Sequence, residues 1–94
     1  MAKPKTVLLE KGQDFDIKRM EVTGGGVMPR HQASLESALI VIEGAVTLKL
    51  DDEVVELTAG DARILPTGVW HELTANTEFR AIHVMPKGIA FSFG

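Results

Sequence analysis

Apolar and β-branched residues arrive along this chain in short runs, and each run is closed by a turn signal. Thr6 to Leu9 is followed by Lys11-Gly12, and Phe15 to Val22 by Gly24-Gly25-Gly26. Val27 to Gln32 leads into Leu35 to Glu43, which stops at Gly44, and Ala45 to Leu50 turns at Asp51-Asp52. Glu53 to Leu57 turns at Gly60-Asp61, and Ala62 to Leu65 ends at Pro66. Trp70 to Thr74 ends at Asn76, and Phe79 to Met85 ends at Pro86. Strands this short and this regularly punctuated predict an all-β sandwich or barrel. No linker, low-complexity segment or solenoid-length repeat interrupts them, so residues 1–94 are read as one domain.

Two of these runs differ in a way that matters for assembly. In Ala45 to Leu50, Val46, Leu48 and Leu50 alternate with Thr47 and Lys49, which predicts one dry and one wet face. In Leu35 to Glu43, Leu35, Ala38, Leu39 and Ile42 also fall at helical spacing, and Ser34 would serve as an N-cap. The consecutive Ile40, Val41 and Ile42 are stiff at χ1 and favour a pleated strand instead. Such a strand is apolar on both sides, with Leu39 and Val41 on one face and Ala38, Ile40 and Ile42 on the other. Its outer face needs a cover, and a second copy of the chain is the simplest one. A homodimer is therefore expected.

Composition narrows the setting. A domain of 94 residues has a small core and gains from oligomerisation, a metal or disulfides, and the chain has no cysteine. The net charge of -3 offers no basic footprint, so no nucleic-acid partner is expected. Lys3 and Lys5 are read as a solvated end. Met1 to Gly12 holds no apolar run of signal-peptide length, and no later stretch approaches a membrane span. A soluble, cytoplasmic protein without membrane association is the expectation, in keeping with the missing cysteines.

Candidate chemistry centres on a spaced set of residues. Gly60, Pro66, Gly68 and His71 stand in the pattern Gly, five residues, Pro, one residue, Gly, two residues, His. The residue types have physical reasons. Gly60-Asp61 turns the chain, Pro66 ends a strand it cannot donate to, and Gly68 turns it again before His71. This pattern resembles the second motif of the cupin family. Gly25, His31 and the closing Gly44 resemble the frame of the first. The resemblance spans most of Gly24 to Pro86 and implies a jelly-roll (double-stranded β-helix) barrel. It also implies a divalent metal (Mn, Fe, Ni, Cu or Zn) held by three His and one Glu.

The chain departs from the family at chemically decisive positions. The second His of the paired set is Ala33, the Glu is Ser37, and the Asn that follows the last His is Ala75. His31 and His71 remain, fewer than the three protein ligands usual at a catalytic zinc. They stand either as a relic pair or as part of a weak metal site. His83 is a candidate third ligand: a hairpin turning about Thr77 would set it opposite His71 on the same face. A one-residue slip would put it outside. Glu36 points away from His31 by strand alternation unless a bulge re-aims it, and Gln32 lies between the two positions of the former pair. Ser37 is expected in the pocket with Leu39 and Val41. Trp70 is read as a packing aromatic, and Arg30 and Arg63 as outward-facing. Phe91 and Phe93 are read as an apolar strand folding back on the barrel or on a neighbour.

Three functions stay open on these residues. The first is a module that binds an as yet unidentified small molecule in an apolar pocket, and it is favoured because no general acid, general base or thiol accompanies the histidines. The second is a metal-dependent dioxygenase or isomerase using His31, His71 and His83. The third is a purely structural dimer.

Overall fold

The alternating runs become strands throughout the computed structural model, which describes residues 4–94; Lys3 lies outside it. In chain order they are β1 (Lys5–Lys11), β2 (Phe15–Val22), β3 (Val27–Ala33), β4 (Ser37–Glu43) and β5 (Ala45–Leu50). There follow β6 (Val54–Thr58), β7 (Ala62–Leu65), β8 (His71–Ala75), β9 (Phe79–Pro86) and β10 (Phe91–Phe93). One sheet has the order β1-β2-β9-β4-β7 and the other β10-β3-β8-β5-β6, antiparallel throughout. The two face each other around one core, so the fold is an all-β jelly-roll barrel. Among the described residues no helix is long and apolar enough to cross a membrane.

The segment with mixed periodicity is a strand, and alternation sorts its side chains. Ser37, Leu39 and Val41 of β4 are buried, whereas Ala38 and Ile40 are half-buried and Ile42 is 48% exposed. On the outer face Ala38 lies between Val84 and Ile64, and Ile40 between Ile82 and Ala62. The outer surface of the first sheet is thus apolar along its middle. Inside, Leu39, Val41, Val46, Leu48 and Phe79 are the largest fully buried side chains. Each removes about 1.5–3 kcal/mol worth of apolar surface from water, the main gain available to a domain of this size.

Turn chemistry fixes the corners. Gly44 joins β4 to β5 at φ +82°, and a Cβ there would run into the Glu78 carbonyl oxygen. No other residue type fits both the conformation and the space. Gly68, at φ +72°, donates its N–H to the Ala33 carbonyl at 2.9 Å, tying the loop before His71 to the end of β3.

The chain path corrects one expectation. β8 and β9 do not form a hairpin; β8 pairs with β3 and β5 in one sheet, and β9 with β2 and β4 in the other. The turn about Thr77 crosses between sheets, so His71 and His83 are not cross-strand partners. Arg63 is a smaller correction. It stands opposite Leu39, hence on the inner face of edge strand β7, and reaches out of the edge to pair with Glu53.

Candidate functional site

His31 and His71 meet because a bulge re-phases β3. The register runs Val27 to Thr74 and Met28 to Leu73, then slips by one residue, so that His31 stands directly opposite His71. Pro29 occupies the slip, where its missing N–H costs no ladder bond. Both rings are buried, with centroids 4.2 Å apart and planes tilted by 60°. His31 Nδ1–H donates to the Pro29 carbonyl at 2.7 Å, and His71 Nδ1–H to the Val69 carbonyl at 3.0 Å. In the neutral rings these bonds leave both Nε2 lone pairs free, the tautomer that suits a metal or a donor group on a ligand.

His83 reaches the same interior from the opposite sheet. Its strand neighbours are Lys18 and Leu39, and its Nε2 shares a 3.0 Å hydrogen bond with Ser37 Oγ. Burial drives its pKa down to about 4, helped by His71, His31 and Lys18 nearby. His71 is also lowered, first by burial, against the raising effect of its bond to Val69. Both imidazoles are therefore neutral at neutral pH.

The donors fall short of a metal centre as placed. Two imidazoles are preset, but the third is turned to Ser37, and among the described residues no group of three His, Asp or Glu side chains converges. Glu36 is exposed between the Ser34–Leu35 bend and β4, and Gln32 is half-buried opposite Ser92. No chemical step is assigned to a metal here.

A cavity of about 940 Å³ opens beside these histidines, between β1–β2 and β3–β10. His31 and His83 stand on its wall with Lys18 and Thr6. The rest is mostly apolar: Met20, Met28, Met85, Val27, Phe91 and Phe93, with two prolines. The Phe91 and Phe93 rings lie 5.8 Å and 5.4 Å from the His31 ring, carried there by β10 pairing with β3. The apolar tail thus folds back onto its own barrel.

His71 borders a separate polar depression of about 290 Å³ with Arg30 and Trp70. There the Arg30 guanidinium covers the Trp70 ring at 4.4 Å, so Trp70 is a packing partner. Of the pocket residues expected on β4, Ser37 touches the site through His83. Leu39 and Val41 do not line the cavity, because they are 0% exposed within the core. Lys18, Met20 and Met85 escaped the sequence reading. The parity of Lys18 with Met20 and Val22 on β2 was the available signal, yet its consequence depends on a pairing of β2 with β9 that no turn motif announces.

Known proteins share this fold. A conserved Streptococcus pyogenes protein of unknown function matches with a TM-score of 0.80 and 22% identity, over 90% of this chain and 75% of its own. A cupin-2 domain containing protein from Shewanella frigidimarina matches with a TM-score of 0.80 and 24% identity, over 88% and 80%. Salicylate 1,2-dioxygenase from Pseudaminobacter salicylatoxidans reaches a TM-score of 0.87 at 14% identity, over 96% of this chain but 30% of its own. At such identities the likeness shows the fold alone. None of the curated proteins matches. The cupin-domain sequence profile matches residues 18–85, from the cavity lysine to the last methionine of β9. A match over that much of the chain shows that it belongs to the cupin family.

Proposed function

We propose that this domain is a small-molecule-binding module whose ligand occupies the cavity beside His31 and His83. The observation that carries this reading is the cavity itself: about 940 Å³, mainly apolar, with a few polar side chains on its wall. Binding sites for small molecules combine these features, since apolar walls supply affinity and a few polar groups fix orientation.

The chain has four methionines, and Met20, Met28 and Met85 line the cavity. Titrating methyl-labelled protein with decanol is expected to shift those three methyl signals in the NMR spectrum. If all four signals stay in place up to the solubility of the alcohol, the reading fails.

A second reading, a metal-dependent dioxygenase or isomerase, rests on the two preset Nε2 lone pairs of His31 and His71. It requires His83 to leave Ser37. Elemental analysis of tag-free protein beside a His71→Ala variant tests it; metal near one equivalent that vanishes in the variant would support it. The apolar outer face of the first sheet also supports a homodimer, and sedimentation showing only monomer at micromolar concentration would sink that.

A further inference from the structure

None of the polar groups on the cavity wall carries a negative charge. Lys18 contributes an ammonium, Thr6 a hydroxyl, and His31 and His83 contribute imidazoles. Lys18 and Thr6 can donate hydrogen bonds into the cavity, whereas the His31 Nδ1–H is already given to Pro29, and among the described residues lining the cavity there is no Asp or Glu. This holds in a chain whose net charge is -3, with 13 acidic residues against 10 basic ones. Carboxylates are abundant elsewhere and absent here.

Lys18 is placed to be used. It is directly opposite His83 across β2 and β9, so both project from the same face of the sheet toward the cavity. Among the described residues it enters no ion pair, whereas Arg19, Arg30, Arg63, Arg80 and Lys87 each have an acidic partner. Lys18 as a residue is half-buried on this mostly apolar wall, and an anion entering the cavity would give its ammonium a charged partner. Most of the remaining wall is methionine and phenylalanine, with Val27 and two prolines, and it accepts hydrocarbon of varied shape because methionine adapts its rotamer.

Building on the small-molecule reading above, we propose that the cavity selects apolar monocarboxylates. The carboxylate sits on Lys18 beside His83, and the hydrocarbon part lies against Met20, Met28, Met85 and the rings of Phe91 and Phe93. A neutral alcohol of the same length gains the apolar contacts and loses the charged one. An amine is repelled.

The test compares decanoate, decanol and decylamine by the methionine methyl shifts, in wild type and in Lys18→Gln. A charge-assisted hydrogen bond to Lys18 predicts about tenfold or greater preference for decanoate over decanol. In Lys18→Gln decanoate affinity should drop to about that of decanol, with methyl signals that still report a folded cavity. Equal binding of decanoate and decanol by wild type would overturn the carboxylate class while leaving the pocket reading intact. So would preference for decylamine, or a decanoate preference that survives Lys18→Gln. No shift with any of the three would remove the pocket reading itself. If Lys18→Gln fails to fold, Lys18→Arg replaces it and must retain the decanoate preference, because the positive charge is kept.

Discussion

The interior of this barrel has two halves built on different rules. Around β4, β5 and the start of β9 it is closed: Leu39, Val41, Val46 and Leu48 are 0% exposed, and Phe79 is 1%. Around β2, β3 and β10 it is open, and flexible methionines, two imidazoles and a lysine surround space instead of filling it. The closed half holds the sheets together. The open half has given up packing for access, which a binding site requires.

Truncating the closed half should cost most. Phe79→Ala leaves a cavity where relaxation is blocked by fully buried neighbours, and a loss of about 3–5 kcal/mol is expected in urea unfolding. A loss under about 1 kcal/mol would mean that the two halves do not differ as described.

Acid separates the halves next. His83 faces Lys18 from β2, Ser37 from β4, His31 from β3 and His71 from β8, and its pKa is lowered to about 4, first by burial. The unfolded chain binds that proton near pH 6.5 while the folded chain refuses it down to about 4. Stability is therefore full above pH 6.5 and declines as pH falls from 6.5 toward 4, by about 3 kcal/mol from this residue. His83→Gln keeps a partner for Ser37 and does not titrate, so its unfolding free energy should fall correspondingly less between pH 7 and 4. Parallel curves for the two proteins would show that His83 is hydrated.

The smallest effect belongs to the rim of the open half. Phe93 is 67% exposed, and Phe93→Ala should change stability by less than about 0.5 kcal/mol. It should nonetheless weaken decanol binding severalfold in the methyl titration, because Phe93 is cavity wall. A stability loss above about 2 kcal/mol would place Phe93 in the core.

Most of the fold could be read from the chain because its signals are local. The run Gly60 to His71 fixes two turns, a strand end and an inward-facing imidazole within one short segment, and each takes the expected place. Ile40-Val41-Ile42 settles strand over helix by side-chain stiffness alone. The site was harder to read because it depends on pairings between distant segments. His83 does reach the interior, but by facing His31 and His71 from the other sheet and not through the hairpin about Thr77. The slip at Pro29 that aligns His31 with His71 shifts register without a glycine to mark it. Lys18 is one charged residue among ten basic ones, and only the β2–β9 pairing gives it a role.

The strand β10 has a consequence for how the site comes into being. The core cluster draws only on residues 20 to 81. The cavity wall instead takes Pro4 and Thr6 from one extreme of the described chain and Phe91 and Phe93 from the other. Both ends therefore wall the site without belonging to the core cluster. Ligand affinity is then a gauge of how firmly the two ends are laid down. A change near Gly94, whose N–H is held by the Arg30 carbonyl at 3.2 Å, should reach the binding wall more directly than the core.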